Sequence, residues 1–410
     1  MSEAAAPTGP LAGIRVLDLS RVLAGPWCSQ ILGDLGAEVI KIESLGQGDD
    51  TRPWGPPFLP DGSGDSAYYL AANRNKRSVQ VNLADPAGAE LIRKLAARAD
   101  IVLENFKVGG LAKYGLDYAS LKALKPDLIY CSITGFGQTG PYKDRGGYDF
   151  LIQGMSGVMS VTGHPDGVPG AGPMKAGISV SDLGTGLYAA ISILAALHHR
   201  TQTGEGQHID LALLDSQLAL LASHASSWLN GESLPKRWGN AHPSLTPYQD
   251  FACIDGAVLV ALGNDRQFAA FARLLGLPEM ADDPRFTTNP ARNQHRPEMI
   301  AALADAIAQR RADELVAAME AAGLPGGKVN DVPTILADPH VAARGQIGEI
   351  ARDDGTPVRF LGYPAKFSAT PPNYRRAPPR AGGDTADVLG EELGLGSEEI
   401  ALLKSVGAIG

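Results

Sequence analysis

Between residues 14 and 133 short apolar runs alternate with amphipathic segments, and that alternation limits the chain to a fold built on a parallel sheet. Residues 14–19 (IRVLDL), 38–43 (EVIKIE), 77–83 (RSVQVNL), 101–103 (IVL) and 128–133 (LIYCSI) each read as a strand. Residues 27–35 read as a helix closed by Gly36, and Asp85 followed by Pro86 opens a second helix that runs to Arg98. Residues 111–124 hold short helices. The expected fold class is α/β, a doubly wound sheet whose ligands bind at the loops leaving the strand C-termini. Residues 46–64, rich in Gly and Pro and containing Arg52 and Trp54, form a loop long enough to be expected over a site.

One loop carries a misleading motif. Residues 135–140 (GFGQTG) match GxGxxG and follow a strand, but Pro141, Asp144, Gly146 and Gly147 come next where a dinucleotide fingerprint would open a helix. The first strand–helix turn lacks the motif, so the glycines are read as keeping a loop close to something else.

Further on, residues 207–229 read as a strand-like start and an apolar helix, and 230–248 as a turn-rich crossing. Residues 251–261 form a hairpin around Asp255-Gly256, and 264–320 are mostly helical. The expected division is a large α/β domain over 1–205, a linker over 206–229, and a smaller α+β domain over 230–330. A return linker and C-terminal part of the large domain then occupy 331–410. Residues 1–12 read as a disordered lead.

Composition narrows the function. A net charge of −9 with no long run of one sign argues against nucleic acid and anionic membrane as partners, while local basic clusters still suit a phosphorylated ligand. Cys28, Cys131 and Cys253 are far apart and suggest neither disulfides nor zinc. No histidine falls in a metal-ligand spacing and no GxSxG elbow exists, so no metal is expected. Without a signal peptide or an apolar stretch judged long enough to span a bilayer, the expected location is the cytoplasm.

Residues 175–204 are where the chemistry is expected. Leu187, Ala190, Ile191, Leu194 and Leu197 recur at helical spacing and read as one buried helix face, His198, His199 and Arg200 suit a last turn, and Gly204 is a natural stop. Asp182 therefore stands at or just before the helix N-terminus, where unpaired N–H groups and the dipole favour an ionised carboxylate, as a nucleophile would need. The plain alternative is an N-cap, worth ~1 kcal/mol. Gly184 and Gly186 each cost about 1 kcal/mol of helix propensity but let another molecule approach the backbone. Lys41, Arg52, Lys76, Arg77, Lys107, Lys113, Lys143 and Arg145 individually read as solvated surface charges, but several fall in or near loops after strands, where a phosphate-bearing ligand would lie. Residue types alone stop at an α/β protein that binds a phosphorylated small molecule.

Longer matches go further. Residues 11–19 (LAGIRVLDL), 22–26 (VLAGP), 32–43 (LGDLGAEVIKIE), 75–78 (NKRS), 104–106 (ENF), 134–137 (TGFG), 147–149 (GYD) and 181–186 (SDLGTG) resemble the class III CoA-transferases, the family of formyl-CoA and carnitine CoA-transferases. Residues 48–58, 130–135, 236–242, 247–249 and 263–268 resemble its succinyl-CoA:glutarate (dicarboxylate) subgroup.

The resemblance implies a Rossmann-like large domain built from both chain ends, a small domain between, and an interlocked homodimer. It implies transfer of CoA from an acyl-CoA to a small carboxylic acid, with no tightly bound cofactor. Asp182 would be the nucleophile, passing through an aspartyl anhydride and an aspartyl-CoA thioester. The backbone at Gly184 and Gly186 could donate to the tetrahedral intermediates. CoA contacts carry over to Val22, Leu23, Ala24, Val81, Leu83, Asn105, Phe106, Lys113, Tyr148 and Asp149. A cation for the distal carboxylate of a dicarboxylate would come from Arg52, Arg145, Lys175, Arg237 or His242.

The chain also departs from formyl-CoA transferase. That enzyme has glutamine at Leu23, arginine at Ser44 and a glycine-rich flap not found here, which disfavours formate and oxalate. The alternative reading is an α-methylacyl-CoA racemase-like isomerase. That branch has a histidine base where this chain has Tyr148, whose ordinary pKa near 10 does not suit the task.

Overall fold

The computed structural model describes residues 8–410, so residues 1–7 of the expected lead lie outside the described residues. Residues 8–12 do not behave as a loose lead. Leu11 is buried, and its N–H donates to the Leu35 carbonyl at 3.0 Å.

In the first third, β1 (Arg15–Asp18), α1 (Ala24–Asp34), β2 (Glu38–Glu43), α2 (Ala67–Leu70) and β3 (Lys76–Gln80) follow one another. Next come α3 (Pro86–Arg98), β4 (Ile101–Glu104), α4 (Tyr118–Leu124) and β5 (Ile129–Thr134). After a loop the chain forms α5 (Asp149–Met155), α6 (Val158–Val161), α7 (Val180–Thr203), β6 (His208–Ala212), α8 (Leu213–Leu220) and α9 (Ser223–Gly231). The strands make one six-stranded sheet in the order β3-β2-β1-β4-β5-β6, with every pairing parallel. Strand order reverses at β1 and β4, where the departing loops diverge and leave a crevice.

Period-two alternation sends successive side chains to opposite layers. Val16, Ile101, Leu103 and Cys131 pack with Cys28, Leu32, Ala189 and Ile193 of α1 and α7. Leu17, Val102 and Tyr130 pack on the other side with Leu91, Ile92 and Leu95 of α3. That helix starts as the sequence suggests: Pro86 occupies its first turn, and Asp85 accepts the Ala87 N–H at 2.8 Å.

Residues 234–342, with 159–174, make a separate smaller unit. It holds β7 (Tyr248–Cys253), β8 (Gly256–Ala261), α10 (Asp265–Leu275), α11 (Pro278–Asp282), α12 (Asn289–Gln294), α13 (Arg296–Ala308), α14 (Ala312–Ala321) and β9 (Gly326–Lys328). Phe268, Phe271, Met299, Leu303 and Met319 fill its core beneath the three-stranded antiparallel sheet β7-β8-β9. The short helices α15 (Val332–Leu336) and α16 (Pro339–Ala343) follow. The chain then returns to the larger unit as an antiparallel hairpin, β10 (Ile347–Ala351) and β11 (Pro357–Leu361), and as helices α17 (Thr385–Leu393) and α18 (Ser397–Ser405). Asp384 holds the return in place, accepting the Ser78 N–H at 2.8 Å and donating its own N–H to the Ser78 carbonyl at 3.0 Å.

The unit boundaries differ from the expected ones. Residues 206–229, expected as a linker, supply edge strand β6 and helices of the larger unit, because β6 completes the open side of β5. Residues 159–174 and 331–342 belong to the smaller unit, and 347–361 form a hairpin where a return linker was expected. Helix α7 also corrects the membrane argument, since at 24 residues it is long and apolar enough to cross a bilayer. Ala189, Ala190, Ile193, Ala196 and Leu197 bury one of its faces in the core of the larger unit, whereas Leu187, Ile191 and Leu194, expected on the buried face, are exposed.

Candidate active site

Asp182 lies in the first turn of α7, but it is not the cap of that helix. Asp149, the first residue of α5, reaches across instead. Its Oδ1 accepts the Ser181 N–H at 2.8 Å and the Asp182 N–H at 3.3 Å, while Oδ2 accepts from the Gln153 amide at 2.6 Å. The remaining leading N–H groups, of Val180 and Leu183, go to the Ile178 and Ser179 carbonyls. Among the described residues no donor or cation holds the Asp182 carboxylate oxygens. The carboxyl is pushed up to about 7, first by burial and then by the Asp149 charge. The expectation that helix N–H groups keep Asp182 ionised is therefore corrected: Asp149 has taken them.

Gly184 and Gly186 are corrected too. Both are buried inside α7. A Cβ on Gly184 would meet Leu220 Cδ1 at 2.7 Å, and one on Gly186 would meet the Ala24 carbonyl oxygen at 2.7 Å. These glycines let α8 and the start of α1 pack closely against α7, and they present no backbone to a ligand.

Gly186 thereby brings α7 against the turn between β1 and α1. Asn105 clamps that turn, accepting the Arg21 N–H at 3.0 Å and donating to the Arg21 carbonyl at 2.7 Å. Val22 sits at φ +72°, a costly backbone for a β-branched residue, and its N–H points at Asp49 Oδ1 at 3.4 Å. Leu23 and Ala24, both buried, lead into α1. A cavity of about 310 Å³ opens beside the turn at the strand C-termini, lined by Ser20, Lys41, Asp49, Val81, Leu83, Phe106 and Tyr114 among others. Its floor is an ion pair, Lys41 Nζ to Asp49 at 2.9 Å. Phe106 is fixed through its N–H, which donates at 2.7 Å to Glu104, a carboxyl that burial pushes up to about 7.

A crevice at the strand-order reversal, a strained turn clamped by Asn105 and an uncapped carboxylate on the helix packed against it can be set against known proteins. Residues 11–385 match the profile of CoA-transferase family III. The chain belongs to that family. It is an enzyme that transfers coenzyme A. It is 50% identical over 352 residues to the succinate–glutarate CoA-transferase of Agrobacterium fabrum, covering 85% of this chain and 87% of the relative. It is 44% identical over 341 residues to the succinyl-CoA:glutarate CoA-transferase of Mus musculus, covering 83% and 77%. Among solved structures, a CAIB/BAIF family protein from Brucella suis superposes with a TM-score of 0.83 at 47% identity, covering 94% of this chain and all of that one.

Within this family III chain the residues expected to meet CoA fall into groups. Val81, Leu83 and Phe106 line the cavity, Val22, Leu23, Ala24 and Asn105 build the turn beside it, and Tyr148 and Asp149 lead into α5 next to Asp182. Lys113 is exposed, its ammonium 4.7 Å from the Tyr114 ring.

The five cations considered for a distal carboxylate are not equivalent. Arg52 is excluded, being buried and saturated. Nε and Nη2 donate to Glu43 at 2.8 and 2.7 Å, and Nη1 donates to Asp65 at 2.7 Å. Arg145 is exposed and stacks over Phe136 and Tyr142, and Lys175 is exposed with its ammonium on the Ala176 carbonyl. Arg237 pairs with Asp166, and His242 Nδ1 accepts the Ser244 and Leu245 N–H groups, all within the smaller unit.

The misleading glycine motif also has its explanation. A Cβ on Gly135 would lie 2.6 Å from the Gly147 Cα, so the two strands of loop touch backbone to backbone just before Asp149. Sequence reading did not single out Tyr68, which lies on α2 with its ring edge-on to Trp54 at a centroid distance of 5.3 Å. The only hint was the long loop preceding it.

Proposed function

We propose that this enzyme moves CoA from succinyl-CoA to a dicarboxylate acceptor such as glutarate, with Asp182 as the covalent nucleophile. The observation that carries this reading is the half-buried Asp182 carboxylate, free of donors and cations among the described residues while Asp149 caps its helix. The substrate class draws on relatives named for succinate and glutarate at 44–50% identity. A carboxyl titrating near 7 is substantially ionised at neutral pH and more basic than an ordinary aspartate, which suits attack on a thioester.

In this reading an Asp182 oxygen attacks the succinyl carbonyl, the C–S bond breaks, and CoA leaves as thiolate with an aspartyl–succinyl anhydride behind it. The thiolate attacks the aspartyl carbonyl, the C–O bond to succinate breaks, and an aspartyl-CoA thioester forms. The acceptor carboxylate attacks that thioester and releases the thiolate. The thiolate then takes the acceptor's acyl carbon, restoring the Asp182 carboxylate. Each step exchanges one anion for another, so no net proton is needed. CoA would lie along the cavity and the Val22–Ala24 turn, with its thiol end toward Asp182.

The interlocked homodimer belongs to this proposal as well. Leu187, Ile191 and Leu194 form an outward apolar stripe on α7, 50%, 61% and 36% exposed, which a second copy would cover. Sedimentation should find a dimer.

The deciding experiment incubates the protein with succinyl-CoA and glutarate, itaconate, malate, mesaconate or citramalate, and follows acyl-CoA products by mass spectrometry. A new acyl-CoA that disappears in Asp182→Ala is expected. Exchange of the α-hydrogen of a 2-methylacyl-CoA with no transfer to any acid would replace this reading with the racemase.

A further inference from the structure

Among the described residues no donor holds the Asp182 carboxylate oxygens, so the position of that side chain is set by the helical turn that carries it. The turn is anchored from two sides. On α8, Gln217 Oε1 accepts the Ser181 hydroxyl at 2.7 Å, and both side chains are buried. On α5, Asp149 takes the Ser181 and Asp182 N–H groups, and Asp149 is itself held by Gln153.

Gln153 is fully buried, one helical turn beyond Asp149 on α5. Its amide has one arrangement open to it. The Ala176 N–H can only donate, and it meets Oε1 at 2.8 Å, so Nε2 is turned onto Asp149 Oδ2 at 2.6 Å. Nε2 also reaches the Ile178 carbonyl at 3.5 Å. A rotated amide would set oxygen against carboxylate and N–H against N–H, and neither contact is a hydrogen bond. One side chain thus ties the start of α5 to residues 176–178, the approach to α7. The free N–H groups at a helix start draw a nearby carboxylate. If Asp149 swung away, the carboxylate carried by the same turn is that of Asp182, whose oxygens would then be tied to the backbone and turned from a substrate.

We infer that Gln153 is a positioning residue of the transfer: by donating to Asp149 it keeps Asp149 on the α7 N–H groups and leaves the Asp182 carboxylate free to attack. This role rests on Asp182 being the nucleophile. It asks nothing of CoA, because Gln153 lies inside packed protein and other residues line the cavity.

The test uses exchange of isotopically labelled succinate into succinyl-CoA, which needs no second acid, with calorimetric titration of free CoA and urea unfolding alongside. Gln153→Glu keeps an oxygen for the Ala176 N–H but turns an acceptor onto Asp149 in place of the donor. Its exchange kcat should fall about 10²-fold, the cost of misplacing a reacting group by about 1 Å, with CoA affinity unchanged. Adding Asp149→Asn exchanges amide and carboxylate between the two positions, so that the amide at 149 accepts the cap N–H groups and donates to the carboxylate at 153. The double variant should regain about 10-fold of the lost rate, a coupling that a packing role would not produce. Gln153→Met, of similar length and without charge, should lose rate by a similar factor and serves where Gln153→Glu does not fold. Wild-type exchange in Gln153→Met would overturn the role. So would a double variant no faster than Gln153→Glu alone, or a loss of CoA affinity matching the loss of rate. Persistent exchange in Asp182→Ala, or none in the unmodified protein, would instead remove the Asp182 reading beneath it.

Discussion

The Asp149 carboxylate caps the helix that carries Asp182, accepting its N–H at 3.3 Å and that of Ser181 at 2.8 Å. One aspartate thus takes the stabilising position at the helix N-terminus and leaves the other without it. Asp149 also repels the neighbouring carboxylate, adding to the effect of burial. Asp149→Asn keeps an oxygen to accept the cap bonds but removes the charge. Asp182 should then titrate lower, and the acid limb of kcat/KM for succinyl-CoA should move to lower pH. Asp149→Ala should in addition cost about 1 kcal/mol in urea unfolding through the lost cap. An unshifted limb in the Asn variant would contradict the electrostatic part.

Asp182 should also burden the fold. It titrates at about 7 in the folded protein and at about 3.9 when unfolded. Between those values the folded chain holds a proton that the unfolded chain has released, so stability declines as pH rises from about 4 to 7 and stays lower above. Asp182→Asn should be more stable than wild type at pH 8 by on the order of 2 kcal/mol, allowing for partial exposure, and equal to it near pH 4. Urea denaturation at the two pH values reads both, and the variant should lack transfer activity.

The two glycines of α7 should respond differently to a methyl group. At Gly186 the methyl meets the Ala24 carbonyl, a backbone atom that cannot step aside. At Gly184 it meets the end of the Leu220 side chain, which can rotate. Gly186→Ala should lose about 1–3 kcal/mol and much of its activity as α7 moves off the Val22 turn. Gly184→Ala should stay within about 1 kcal/mol of wild type. Thermal melting and steady-state rates on the pair separate the two.

Arg52 is a structural residue and not a receptor for the acid. Arg52→Ala leaves Glu43 and Asp65 buried without their partner and should cost about 3–5 kcal/mol. The folded fraction should keep its KM for glutarate. A selective rise in that KM without loss of stability would restore the substrate role.

The local patterns of the chain determined much of this protein. Alternation of apolar residues announced five of the six parallel strands, Asp85-Pro86 announced α3, and Asp182 stood out as an acid at the start of an apolar helix. Such features depend on neighbours a few residues away, where period and propensity are readable. The edge strand β6 was harder to place, because its assignment to the sheet depends on β5 lying alongside it. Only the tertiary structure decided what Asp182 experiences. Its N–H is held by a residue 33 positions earlier, and the charge of that residue adds to burial in raising its carboxyl. Burial and charge proximity are sums over groups distant in sequence, so a carboxylate expected to be ionised by its own helix is instead held near neutral titration by its surroundings.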